Sequence, residues 1–447
     1  MGKCSEDHMG GFLMKAVVTG VLSAFAFAAL ATTAIAETKL TIATVNNGDM
    51  IRMQGLTADF TAANPDIALE WVTLEENVLR EKVTTDIAAK GGQFDVLTIG
   101  TYEVPIWGKK GWLVPLTGID DQADLIPSIA GALTVDGKLM AAPFYAESSM
   151  IMYRKDLVAA TGMTMPAKPT WDEVKAIADK ITNKEKEIYG ICLRGKPGWG
   201  EGGAVEGALG NSFGARWFDE NWKPQFDSPE WKKALTFFVD MMAADGPPGV
   251  STNGYNETMA LYLAGKCGMW IDATVSASAL TDPKQAKFHD QVDYAMAPDT
   301  GNGNHGNWLW AWSLAIPAGT QKNDAAQKFV SWATSKHYTE IVAAKEGWAA
   351  VPPGTRTSLY ANPEYAKVAF AKPTLDAILA VNSVQPSSQP TPYSGGQYVA
   401  IPEFADLGTT VSQIFAAALA GEKTVDAALA ESQEAATRVM TKAGYIK

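Results

Sequence analysis

LTIATVNNGDMIRMQGLTADFTAANPDIALEWVTLEENVLREKVTTDIAAKGGQFDVLTIG, residues 40–100, decides the fold. Leu40 to Val45 is a short apolar strand. It runs into Asn46-Asn47-Gly48-Asp49, a turn-former that can also cap the helix starting near Met50. That helix is apolar at Met53, Leu56 and Phe60 and ends before Asn64-Pro65. Ile67 to Leu74 is a second strand, and Glu75-Glu76-Asn77 leads from it into a helix through Val78, Val83 and Ile87, stopped by Gly91-Gly92. Phe94 to Ile99 is a third strand. The order β, α, β, α, β predicts an α/β fold with a mostly parallel sheet. In such sheets ligands bind beyond the carboxyl ends of the strands. Asn47, Asp49, Glu75 and Tyr102 fall in those loops.

Downstream, GNWLWAWSLAIP (306–317) places Trp308, Trp310 and Trp312 at alternate positions. Strict alternation puts three indoles on one face of a strand. The strand is either a Trp-rich core strand or one that passes a cleft and presents rings to a ligand. Between it and the opening unit the pattern repeats. Met150 to Tyr153 is a strand. Thr170 with Glu173 fits a capping box for the next helix. Gly190 to Leu193 is a strand closing on the loop Arg194 to Trp199. Ser228 to Met242 is a helix with Pro229 in its first turn, and Met269 to Asp272 is another strand. A second α/β unit is thus inserted into the first, and the chain then returns. After the tryptophan strand come an amphipathic helix over Asp324 to Ser335 and a rigid loop from Gly347 to Arg356. An irregular stretch follows from Ser383 to Ser394, and two closing helices run over Pro402 to Ala420 and Thr424 to Ala443.

The 447 residues are 47% hydrophobic and 19% charged, which suits two or three globular domains. A net charge of −12 makes nucleic acid or an anionic membrane a poor partner. Ala16 to Leu30 is an apolar run and Ala34-Ile35-Ala36 a small-x-small cleavage site, so residues 1–36 read as a removed secretory signal. A membrane-spanning helix needs roughly 20 apolar residues and different flanks. Glu6 and Asp7 are unusual before such a run, and translation is expected to begin at Met14 or Met9. The mature chain should start at Glu37 in the periplasm, and without a cysteine after the cleavage site no lipid anchor is expected. Cys192 and Cys267 both lie in apolar, strand-like runs. A disulfide would close a long loop and add about 4 kcal/mol; two buried free thiols are the plainer expectation.

His289, His305 and His337 are far apart and no zinc spacing appears. There is no P-loop or EF-hand loop. No metal or other cofactor is expected. A secreted glycosidase stays open, because paired carboxylates have no local signature. What recurs is a set of carboxylates and amides at strand ends: Asn47, Asp49, Glu75, Glu147 and Asp272. Rings stand beside them: Tyr102, Tyr145, Trp199, Trp308, Trp310 and Trp348. Carboxylates accept hydroxyl donors strongly, and an indole face can lie against the C–H face of a sugar or sugar alcohol. Each member has a plainer alternative. Glu75 or Glu76 can serve a helix start, and Asp49 can serve as a cap. Tyr145 and Glu147 can belong to a crossover away from ligand. Arg194, Lys196 and Arg356 can be solvated loop cations. Trp171, Trp222 and Trp231 lack polar partners in sequence and read as packing.

These parts resemble a known family. EENVLREKVTTDIA (75–88), GGQFDVLTIG (91–100), YEVPIWGKKGWL (102–113), PFYAESSM (143–150), RGKPGWGE (194–201), GKCGMWIDATV (265–275), NWLWAWSLAIPAG (307–319) and EGWAAVPPGTR (346–356) carry the resemblance. The chain is similar to the periplasmic solute-binding proteins of bacterial ABC importers, extracellular family 1, to which maltose-binding protein belongs. Within them it resembles the sorbitol/mannitol (polyol) group, over essentially all of the mature chain. The resemblance implies a two-lobed α/β fold with a hinge of crossover strands. One lobe would be residues 37–145 with 313–372, the other 146–305 with 373–447, and 306–312 a hinge crossover. It implies a receptor, not an enzyme, that binds a linear polyol and delivers it to a membrane permease; a mono- or disaccharide is the alternative. A monomer is expected. Asn47, Asp49, Tyr102 and Glu147 would come from the first lobe's side, Lys196 to Trp199 and Asp272 from the second. Glu75, Tyr145, Trp308, Trp310, Trp348 and Arg356 complete the candidate set. Asp272→Ala is expected to weaken polyol binding at least about tenfold, without unfolding the protein.

Overall fold

The computed structural model describes residues 37–447. The secretory signal and the start-codon question lie outside the described residues. Nine strands build the two main sheets: β1 (Thr38–Val45), β2 (Ile67–Leu74), β3 (Val96–Ile99), β4 (Ala141–Glu147), β5 (Ser149–Arg154), β6 (Tyr189–Cys192), β7 (Cys267–Ala273), β8 (Val292–Met296) and β9 (Trp310–Ala315). The first sheet has the order β2-β1-β3-β9-β4 and the second β8-β5-β7-β6.

The parallel core read from residues 40–100 is present: β1 pairs in parallel with both β2 and β3. Around it the sheets are mixed, which corrects the expectation of a mostly parallel sheet. β9 runs antiparallel to β3 and β4, and β5 runs antiparallel to β7 and β8. The crossing between sheets explains the reversal. Only Ser148 separates β4 from β5, so the chain leaves one sheet and enters the other as an almost continuous extended segment. β9 makes the return trip, and a strand coming back from the far sheet enters against the direction of β3.

Local chemistry sets the elements. Thr170 and Glu173 form the expected capping box at the helix Trp171–Ile181. The first helix is split in two, Gly48–Gly55 and Ala58–Ala63, at the Gly55-Leu56-Thr57 break. Asn47 stands at its N-cap position but its side chain caps nothing; it reaches Tyr145 instead. No helix or strand occurs between Leu379 and Phe404, which fits the polar, proline-rich stretch read there. Trp171 and Trp231 are packed but not without partners. Their indole nitrogens donate to Ser212 Oγ and to the Arg216 carbonyl, each at 2.8 Å.

Cys192 and Cys267 are joined in a disulfide, which overturns the reading of two free thiols. They lie on adjacent parallel strands, β6 and β7, whose register sets Tyr189 beside Cys267 and Cys192 beside Trp270. No spacing in the sequence reports that register.

Candidate functional site

The carboxyl ends of β1, β4, β6 and β7 converge on a narrow cavity between the two sheets. Asn47 reaches it from the end of β1, Glu147 from the end of β4, Arg194, Trp199 and Gly200 from the loop after β6, and Ala273 from the end of β7. Trp308, Trp310 and Trp312 wall it from the return crossing. Glu76, Arg80, Ala204, Tyr255 and Gln397 complete the lining.

The tryptophan row is the wall, although the strand is shorter than read. β9 begins at Trp310, and Trp308 lies on the irregular segment that leads to it. The Trp310 and Trp312 rings meet edge to face at 5.4 Å, a favourable aromatic geometry. Gly100 is the reason Trp310 can lie flat over the end of β3. A Cβ at residue 100 would sit 1.9 Å from the indole.

Two guanidiniums stand against these rings. Arg80 donates through Nε and Nη2 to Glu76 Oε1, at 3.0 and 2.8 Å, and through Nη1 to Glu103. Its guanidinium carbon is 4.0 Å from the Trp199 ring centroid and 4.9 Å from those of Trp310 and Trp312. Arg194 donates through Nε to Asp272 Oδ2 at 2.8 Å, through Nη2 to Oδ1, and through Nη1 to the Gly200 carbonyl at 3.0 Å. It lies 5.0 Å from the Tyr255 ring and 5.9 Å from that of Trp308. Planar, always-charged groups held by carboxylates and stacked on rings are rigid hydrogen-bond donors.

The polar groups without protein partners are the telling ones. The Glu147 carboxyl receives neither a hydrogen bond nor an ion pair from any described residue, though the residue is only 6% exposed. Buried Gln397 Oε1 also has no partner. A buried polar atom left unpaired is costly unless something else bonds it. Burial pushes the Glu147 carboxyl well above the ordinary carboxylate range. Arg194 opposes that rise, while Asp272, Glu76 and Asp49 add to it. Behind the wall, burial and the Glu76 charge push Glu201 up to about 7 against the pull of Arg194.

Of the residues singled out in the sequence, Asn47, Glu147, Trp199, Trp308 and Trp310 line the cavity. The others serve it from behind or lie elsewhere. Asp272 is wholly buried, and its two oxygens are taken by Arg194, by Trp270 Nε1 at 2.9 Å and by the Ala273 amide at 2.6 Å. Asp49 pairs with Arg52. Glu75 caps the helix Glu76–Ala89 through the amides of Asn77 and Val78, and its other oxygen meets Lys196 Nζ at 2.8 Å. Tyr102 donates to the Ile401 carbonyl at 3.0 Å and accepts from the Ala405 amide at 3.1 Å. The Tyr145 hydroxyl accepts from Asn47 Nδ2 at 2.9 Å. Trp348 sits on a short turn, half-buried and off the cavity. Arg356 is buried among loop carbonyls, bonding those of Asp120, Asp121 and Thr334.

Arg80, Tyr255 and Gln397 were missed as lining residues, and Glu76 and Arg194 were read only as a helix-start carboxylate and a loop cation. The Glu76–Arg80 spacing, four apart at the start of a helix leaving a strand end, was a usable signal for two of them. Gln397 had none. Among the described residues no group of three or more His, Cys, Asp or Glu could hold a metal ion. No described helix is long and apolar enough to cross a membrane.

The chain has relatives among known proteins. The sequence profile of the bacterial extracellular solute-binding proteins matches residues 47–340. A mannitol-binding protein of Pseudomonas aeruginosa is 52% identical over 415 residues, covering 92% of this chain and 95% of that protein. The crystal structure of an ABC-transporter solute-binding protein from Agrobacterium vitis S4 with bound D-mannitol is 64% identical. It superposes with a TM-score of 0.91, covering 92% of this chain and 100% of that one. Maltose-bound T. maritima MalE3 is 21% identical and superposes with a TM-score of 0.77 over 90% of this chain and 100% of that one, a likeness of fold alone.

Proposed function

This chain belongs to the bacterial extracellular solute-binding protein family, and from that premise we propose that it is the receptor of an ABC importer for a linear polyol of the mannitol and sorbitol class. It holds the polyol between two lobes of a maltose-binding-protein-like fold and hands it unchanged to a membrane permease. It acts in the periplasm, as a monomer. The lobes divide as residues 37–145 with 313–372 and 146–305 with 373–447, and the hinge includes 306–312.

One observation carries the reading. The Glu147 carboxyl, which no described residue bonds, and the unpaired Gln397 amide oxygen face a cavity walled by four indoles and two fixed guanidiniums. A neutral chain of hydroxyls satisfies all of these: Glu147, Gln397 and Asn47 take hydroxyl protons, Arg80 and Arg194 donate to hydroxyl oxygens, and the rings cover the carbon chain. Because elements of both sheets contribute, a ligand favours the closed arrangement by its differential affinity for it. The relatives that bind mannitol support the choice of polyol. A thermal-shift panel of mannitol, sorbitol, arabitol, ribitol, glucose, maltose and trehalose tests it. At a hundred times Kd, a ligand adds about 2.7 kcal/mol to the folded state, which at this size raises the melting temperature by about 3 °C. Mannitol or sorbitol should give that shift. A shift with maltose or trehalose and none with any alditol would refute the polyol reading.

Closure itself has a tight spot. A Cβ at Gly200 would sit 2.1 Å from Glu76 Oε1 and 3.1 Å from Arg80 Nε and Nη2. Gly200→Ala should therefore hold the loop after β6 away from the helix Glu76–Ala89. We expect mannitol affinity to fall roughly 30-fold or more while the ligand-free melting temperature stays within about 2 °C. Calorimetric titration showing affinity within threefold of the parent would rule that closure contact out.

A further inference from the structure

The cavity is richer in carboxyls than any neutral ligand requires. Five lie on or directly behind its wall: Glu76, Glu103, Glu147, Glu201 and Asp272. Two guanidiniums answer them, and both are spoken for. Arg80 is bonded to Glu76 and Glu103, and Arg194 to Asp272, with Glu201 Oε2 3.8 Å away. A further cation, Lys196, is held by Glu75 at 2.8 Å. Asp49 faces Glu147 from the neighbouring helix but carries its own partner, Arg52. Tyr145 and Tyr255 are the other titratable groups around Glu147. Glu147 is left as a buried carboxyl with no cation of its own, aimed into the space a ligand fills. Positive charge brought there would meet an unpaired acceptor, whereas negative charge would meet Glu147 and Glu76 and find the charge of both guanidiniums already balanced by carboxylates, though some of their N–H groups stay open to hydroxyls.

We propose, on the strength of the polyol reading, that Glu147 makes this site select by charge. It admits alditols that are neutral or that carry an ammonium group on a terminal carbon, and it refuses the corresponding aldonates. No bond is made or broken in either case. Burial raises the ionisation range of both Glu147 and Glu201 in spite of the pull of Arg194. With an ammonium ligand Glu147 is ionised and pairs with it. With a neutral alditol its carboxyl bonds hydroxyls only.

The test is calorimetric titration of the purified protein near pH 7 with D-mannitol, 1-amino-1-deoxy-D-mannitol and D-mannonate, which share one carbon skeleton. A buried ligand carboxylate finds no uncommitted cation here, whereas a buried ammonium finds the Glu147 carboxyl, so the mannonate Kd should exceed that of the ammonium compound by roughly 100-fold or more. A smaller ratio overturns the proposal, and that measurement needs no variant. Glu147→Gln should shrink the ratio at least about tenfold; an unchanged ratio would remove Glu147 as its cause. Mannitol's own behaviour keeps the two readings apart. If mannitol does not bind and glucose does, the polyol reading fails, and the charge ratio is read from glucosamine against glucuronate.

Discussion

Asp272→Ala should lower the unfolding free energy by about 3–5 kcal/mol and, in the same variant, weaken mannitol binding at least about tenfold. The second effect was expected from the sequence. The first was not, and it follows from where the carboxylate lies. Asp272 is wholly buried and already accepts from Arg194, Trp270 and the Ala273 amide, so it has little left to offer a ligand. Its work is to hold Arg194. Remove it, and the Arg194 guanidinium stays buried with only the Gly200 carbonyl and Glu201, at 3.8 Å, for compensation. Stranding a buried charge costs far more than losing an exposed pair, which is worth about 1 kcal/mol or less. Replacing both partners separates the roles. Arg194→Met with Asp272→Leu should recover most of the stability, because apolar groups of similar volume substitute well for a buried pair. It should not recover binding. Denaturant unfolding and calorimetric titration of the two variants read both quantities. A loss below about 1 kcal/mol in Asp272→Ala would place the pair in the class of exposed ones and contradict the account.

The second large effect is that of the Cys192–Cys267 bridge. The cysteines are 75 residues apart, so the bond removes a long loop's freedom from the unfolded chain, worth about 4 kcal/mol by chain-entropy reasoning. Cys192→Ala with Cys267→Ala should cost that amount. So should reduction of the parent protein, because both strands are fully buried and stay paired in the native state. Mannitol affinity should hold within about threefold at temperatures below the transition, since neither cysteine lines the cavity. Equal unfolding midpoints with and without reductant would show that the bridge does not constrain the unfolded chain.

These two cases mark how far local reading goes. The alternation and helical periodicity over residues 40–100 placed the three parallel strands, because burying one face of a strand or helix leaves its period in the chain. The capping box at Thr170 and the irregular stretch before the closing helices were legible for the same reason: the interactions that make them span three or four residues. The tryptophan row was legible as a wall, since alternate positions share a face whatever the wall encloses. Asp272 was legible as important but not as a support, because its partner Arg194 is 78 residues away.

Much of the cavity has no such local record. Glu76 and Arg80 meet Trp199 and Gly200 only because the loop after β6 folds onto the helix Glu76–Ala89, with Asn77 bonding the Pro197 carbonyl 120 residues away. Tyr102 turned from a ligand candidate into a brace by meeting Ile401, 299 residues downstream. Gln397 came to the site from a loop with no pattern at all. Short-range periodicity, caps and breakers depend on neighbours along the chain, and they wrote the α/β class, the inserted second unit and the aromatic wall into the amino-acid order. Strand register, the pairing of two cysteines and the choice of which carboxylate stays free depend on groups that meet only after the sheets form. For Glu147 the deciding fact is an absence: among the described residues none bonds its carboxyl, although Arg194 stands near enough to pull on its charge. No single stretch of sequence can express that, because it is a property of everything packed around it.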